Sequence, residues 1–99
     1  MDAAERQVAA FGLDKKLMEL VKLRVSQVNG CGYCVNMHSA DAMKAGETQQ
    51  RVFAMSAWWE TPFFSEMEQA AFRLAEEVTL ISNGGVSEKT YQEATKYFS

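Results

Sequence analysis

The chain has 99 residues, 47% of them hydrophobic, with ten basic and thirteen acidic side chains and a net charge of −3. That length suits one domain with one modest core, and that hydrophobic fraction excludes a disordered chain. Charges of both signs are interspersed without a Lys/Arg block, which excludes nucleic acid as an expected partner, and the apolar runs are too short for a membrane span.

The first residues, MDAAERQVAAFG, lack the basic start and long apolar run of a secretory signal, so a cytoplasmic location is expected. DAAERQVAAF reads as a helix stopped by Gly12. Asp14 is the expected N-cap of a second helix, whose face of Leu17, Leu20, Val21, Arg24 and Val28 continues until Asn29-Gly30 breaks it. A third helix is expected from Cys31 or close to it through Ala45, closed by Gly46. A fourth should cover about Thr48 to Trp58, burying Val52, Met55 and one or both tryptophans.

Thr61-Pro62 forces a turn, and Ser65-Glu66-Met67-Glu68 reads as a capping box. It opens a helix through Ala71, Leu74, Val78 and Ile81, ended by Asn83-Gly84-Gly85. Ser87 caps a last helix from about Glu88 to Tyr97. No segment sustains the period-two alternation of a strand, and there is no internal repeat or long linker. The expectation is a single all-α domain over residues 1–99, of about five to six helices. Such short helices make a thin core, and Trp58, Trp59, Phe63 and Phe64 need covering, so a homo-oligomer is expected.

NGCGYCVNMH, residues 29–38, holds both cysteines and the one histidine of the chain. A C-x-x-C pair at a helix start brings two sulfurs within bridging reach, and the helix N-terminus favours a thiolate at Cys31. His38 follows Cys34 by four residues and Cys31 by seven, so all three share a helix face and His38 can act as base. Two bland readings stand beside this one. The cysteines could be small buried hydrophobes, or they could bind zinc with His38 and a recruited Asp41 or Glu47. Glu19 lies off the apolar stripe of its helix and by itself reads as a solvated carboxylate, with Lys22 and Arg24 nearby on a charged face.

Residues 19–47, ELVKLRVSQVNGCGYCVNMHSADAMKAGE, closely resemble the core of AhpD-like alkylhydroperoxidases in the carboxymuconolactone decarboxylase superfamily. The family motif is a Glu, eleven residues, then C-x-x-C-x-x-x-H, and Glu19, Cys31, Cys34 and His38 match that spacing without a gap. The resemblance implies an all-α fold assembled as trimers or larger rings such as hexamers. It also implies that Cys34 is the thiolate attacking the peroxide, that Cys31 resolves the sulfenic acid to a disulfide, that His38 relays the proton, and that Glu19 accepts it. No metal, haem or flavin is implied, and the reductant would be a lipoyl-bearing or thioredoxin-like dithiol protein.

Two features depart from the pattern. Studied members often carry a second His before the second Cys, where this chain has Tyr33, whose hydroxyl is no base near neutral pH. Relatives also continue after a YFS-like segment, so the resemblance implies that a C-terminal helix is missing here. The expected function is therefore a thiol-dependent peroxidase acting on organic hydroperoxides in antioxidant defence. The alternatives are a thiol–disulfide relay and a non-enzymatic oligomeric module that senses oxidation or binds zinc.

Overall fold

The computed structural model describes residues 14–80 and 88–98. They form α1 (Lys15–Asn29), α2 (Gly32–Lys44), α3 (Gln49–Ala54), a 3₁₀ segment (Met55–Glu60), α4 (Glu66–Thr79) and α5 (Glu88–Phe98). Among the described residues there is no strand, and the fold is all-α as expected. The helix expected before Gly12, the Asn83-Gly84-Gly85 stop and the Ser87 cap lie outside the described residues.

The local chemistry that starts and stops α1 also places the dithiol. Asp14 accepts the Leu17 backbone N–H at 2.8 Å and so satisfies one of the unpaired donors of the first turn. At the other end Gly30 adopts φ 69°, a left-handed conformation that costs a residue with a Cβ about 1–2 kcal/mol. Its N–H bonds back to the Gln27 carbonyl, and the N–H of Cys31 bonds to that of Ser26, each at 3.1 Å. These two bonds make the Schellman ending of a helix. Cys31 closes that motif and is at once the N-cap of α2, so the α1–α2 turn spends no further residue before the dithiol.

Helix α1 is the centre of the fold, packing against α2, α4 and the 3₁₀ segment, while α5 packs on α4. Its buried Leu17, Leu20, Val21 and Leu23 join Ala42 of α2, Val52, Met55, Trp58, Phe64 and Phe72 in one core. Phe72 is fully buried and meets Trp58 and Phe64 edge-on at centroid separations of 5.6 and 5.3 Å. Each such aromatic pair adds roughly 0.5–1.5 kcal/mol beyond the area it buries. Helix α4 begins with the expected capping box: the Ser65 hydroxyl accepts the Glu68 N–H, and the Glu68 carboxylate accepts the Ser65 N–H.

The single helix expected over Thr48–Trp58 is instead the six-residue α3 followed by the 3₁₀ segment, with Ala57 at non-helical φ −140°, ψ 44°. Tertiary demand overrides the helical pattern here. Trp58 is buried with its indole N–H donated to Glu76 Oε1 at 2.8 Å, whereas Trp59 remains 52% exposed. The aromatic cluster thus divides: Trp58 and Phe64 belong to the core, and Trp59 and Phe63 face outward.

Candidate active site

Glu19 and His38 meet across the α1–α2 interface. Glu19 is 7% exposed and its Oε2 lies 3.3 Å from His38 Nδ1. The reading of Glu19 as a solvated carboxylate is therefore corrected: its position beside the apolar stripe turns it toward α2 rather than toward water. Lys22, one turn along α1, places Nζ 3.5 Å from the other oxygen, Oε1. Arg24 does not join them, because its guanidinium is engaged by Glu76 at 2.5 Å and stacks over Trp59.

The two thiols occupy the first turn of α2. The Sγ of Cys31, as N-cap, accepts the backbone N–H of Cys34 at 3.3 Å. Both cysteines are free and half-buried. The thiol hydrogen bond from Cys34 holds Cys31 below the ordinary thiol range, helped by the Cys34 backbone N–H, opposed by burial, and helped again by the Tyr33 N–H. Cys34 is pushed up by that same hydrogen bond to Cys31, then by burial and by the charge on Cys31. Of the two, Cys31 is therefore the thiol that ionises more readily, at the positive end of the helix, and Cys34 the one that holds its proton longer.

His38 lies one helical turn beyond Cys34. Among the described residues it hydrogen-bonds to neither sulfur; its Nδ1 faces Glu19, with Asp41 Oδ2 at 4.0 Å. A carboxylate at Nδ1 favours the tautomer with the proton on that nitrogen, which leaves Nε2 as the acceptor. Tyr33 is 79% exposed, and its hydroxyl makes no hydrogen bond to the dithiol among the described residues.

The two carboxylates named for a zinc set separate. Asp41 reaches His38, but Glu47 accepts the Thr48 N–H at 3.1 Å and faces Arg51, which also pairs with Glu68. The donor atoms that the structure does gather are those of Glu19, His38 and Asp41, all within 4.8 Å of one another. The spacing of three between His38 and Asp41 on one helix was a usable signal for that contact. The burial of Glu19 was not readable from its own helix.

The sequence model of the carboxymuconolactone decarboxylase family matches residues 1–77. The uncharacterized protein YdfG of Bacillus subtilis is 39% identical over 94 residues, which are 95% of this chain and 64% of that protein. Alkyl hydroperoxide reductase AhpD of Coxiella burnetii is 42% identical over 45 residues, 46% of this chain and 25% of that protein. The crystal structure of an Agrobacterium tumefaciens protein of unknown function, ascribed provisionally to AhpD-type antioxidant defence, superimposes with a TM-score of 0.86 at 34% identity. That match covers 98% of this chain and 66% of the other, so the chain spans less than two thirds of the length of these relatives. With the family match running through the dithiol and the same helical fold around it, this chain belongs to the carboxymuconolactone decarboxylase family as an AhpD-like member.

Proposed function

We propose that this protein is a thiol-dependent peroxidase that reduces organic hydroperoxides through a Cys31–Cys34 dithiol/disulfide cycle. The observation that carries the reading is a dithiol at the first turn of α2 with an oriented His38–Glu19 pair further along the same interface. The AhpD name of relatives that match part of the chain supports it.

In the cycle, Cys34 gives up its proton through water to His38 Nε2, and Glu19 stabilises the resulting imidazolium. The Cys34 thiolate attacks the distal peroxide oxygen. An S–O bond forms, the O–O bond breaks, and the alkoxide leaves with the proton returned by His38. Cys31 then attacks the Cys34 sulfenic acid, forming the disulfide as hydroxide departs and is protonated to water. An external dithiol protein, lipoyl-bearing or thioredoxin-like, supplies two electrons and leaves as its own disulfide. The cycle uses no cofactor beyond the dithiol, and we place it in the cytoplasm. Outward-facing Phe53, Trp59 and Phe63 support assembly of the chain as a trimer or hexamer.

One observation favours a second reading, a thiol–disulfide relay: Cys31 is the N-cap whose Sγ accepts the Cys34 N–H, and it is Cys31 that is lowered while Cys34 is raised. The deciding experiment adds one equivalent of an alkyl hydroperoxide to reduced protein and follows intact mass with time. Fast loss of two hydrogens, with a trappable sulfenic acid when Cys31 is replaced by Ser, supports the peroxidase. Oxidation at the rate of a free cysteine, together with fast exchange with a thioredoxin-like disulfide, selects the relay.

A further inference from the structure

We propose that Glu19, His38 and Asp41 form a divalent-cation site, fitted to zinc, that excludes His38 from proton transfer when it is filled. The three donor atoms come from facing helices: Oε2 from α1, and Nδ1 and Oδ2 from positions three apart on α2. A carboxylate on one helix facing a His/carboxylate pair at (i, i+3) on the next is how helical bundles build metal centres. Zinc bonds of 2.0–2.2 Å put neighbouring donors of a tetrahedral site about 3.4 Å apart. The Oε2–Nδ1 separation is 3.3 Å, and Nδ1–Oδ2 is 4.0 Å.

Only Asp41 has to close, and it can. Its side chain is 42% exposed, while those of Glu19 and His38 are 9% and 14% exposed and held against each other. The exposed side of Asp41 leaves the fourth position to water. One imidazole nitrogen with two carboxylates suits zinc better than magnesium or calcium, which take oxygen ligands almost alone. Two carboxylates neutralise the ion. The Lys22 ammonium, against Glu19 Oε1, opposes it and keeps the site reversible.

The exclusion follows from the tautomer. Zinc takes the Nδ1 lone pair, so the imidazole proton must sit on Nε2, and Nε2 then cannot accept a proton from Cys34. The glutamate that orients the base in the empty site becomes a ligand in the filled one.

The test uses the full chain and its Cys31→Ser/Cys34→Ser double variant, titrated with zinc chloride against a chromophoric chelator. The proton NMR signals of the single histidine ring are followed in parallel. The double variant should still bind one zinc per chain with a shift of the His38 ring signals, and Asp41→Asn and Glu19→Gln should each weaken binding at least tenfold. If Glu19→Gln does not fold, the half-exposed Asp41→Asn carries the comparison. Zinc binding lost with the cysteines, or unchanged by Asp41→Asn, would place the ion on the dithiol or on the surface and overturn the proposal, as would no binding at all. None of these readouts requires peroxidase activity, so the failure of one reading leaves the other standing.

Discussion

The Glu19 carboxylate lies 3.3 Å from Nδ1 of His38, although the two stand nineteen positions apart in the sequence. The contact crosses the α1–α2 interface, so it exists only because the Schellman turn at Gly30 folds α2 back along α1. A buried carboxylate that fixes an imidazole tautomer is a positioning device for a base.

Glu19→Gln keeps the side-chain volume and removes the charge. Single-turnover oxidation by an alkyl hydroperoxide should slow by roughly 10²-fold, at the low end of what general acid–base groups contribute. Alkylation of the thiols by iodoacetamide should change little, because neither sulfur is hydrogen-bonded to His38. Equal losses in both assays would mean that Glu19 merely supports the fold.

The two thiols should titrate apart. Cys31 is lowered and Cys34 raised, so thiolate appears on Cys31 at the lower pH and on Cys34 only as pH rises further. Alkylation of Cys34→Ser, where a hydroxyl can still donate to Cys31, should therefore reach half its maximal rate at lower pH than alkylation of Cys31→Ser. Rate–pH profiles measured by mass spectrometry settle the order, and the reverse order would contradict the N-cap assignment.

Ser65→Ala removes the hydroxyl that accepts the Glu68 N–H and ends the reciprocal cap of α4. The expected loss is about 1 kcal/mol in urea unfolding, with the slope unchanged. Peroxide turnover should be unaffected, since among the described residues Ser65 and Glu68 share no hydrogen bond with Cys31 or Cys34.

Trp58→Phe keeps an aromatic ring against Phe72 but deletes the indole donor to Glu76. Glu76 retains Arg24, so no carboxylate is stranded and the cost should stay near 1–2 kcal/mol. Trp58→Ala should cost about 3–5 kcal/mol, because it also opens a cavity in the core. Urea denaturation of the two variants separates the hydrogen bond from the packing.

Much of this was legible in the chain. Asp14, Gly30, Ser65 and Glu68 mark helix ends through bonds made within four or five residues, and such bonds survive any tertiary arrangement. The dithiol at the start of α2 was legible for the same reason. The break at Ala57 was not, because the burial of Trp58 against Phe72 and Glu76 depends on residues 14 and 18 positions later.

The sequence by itself determined the all-α class, the cap positions and the Glu19–Cys31–Cys34–His38 spacing, since periodicity, capping and motif are local properties. Only the tertiary structure decided which charged groups meet. Lys22 joins Glu19 while Arg24 turns to Glu76, and Asp41 reaches His38 while Glu47 is taken by Arg51. All four charged residues sit within reach of the motif along the chain. The direction in which each helix face packs, which no local interaction specifies, sorts them.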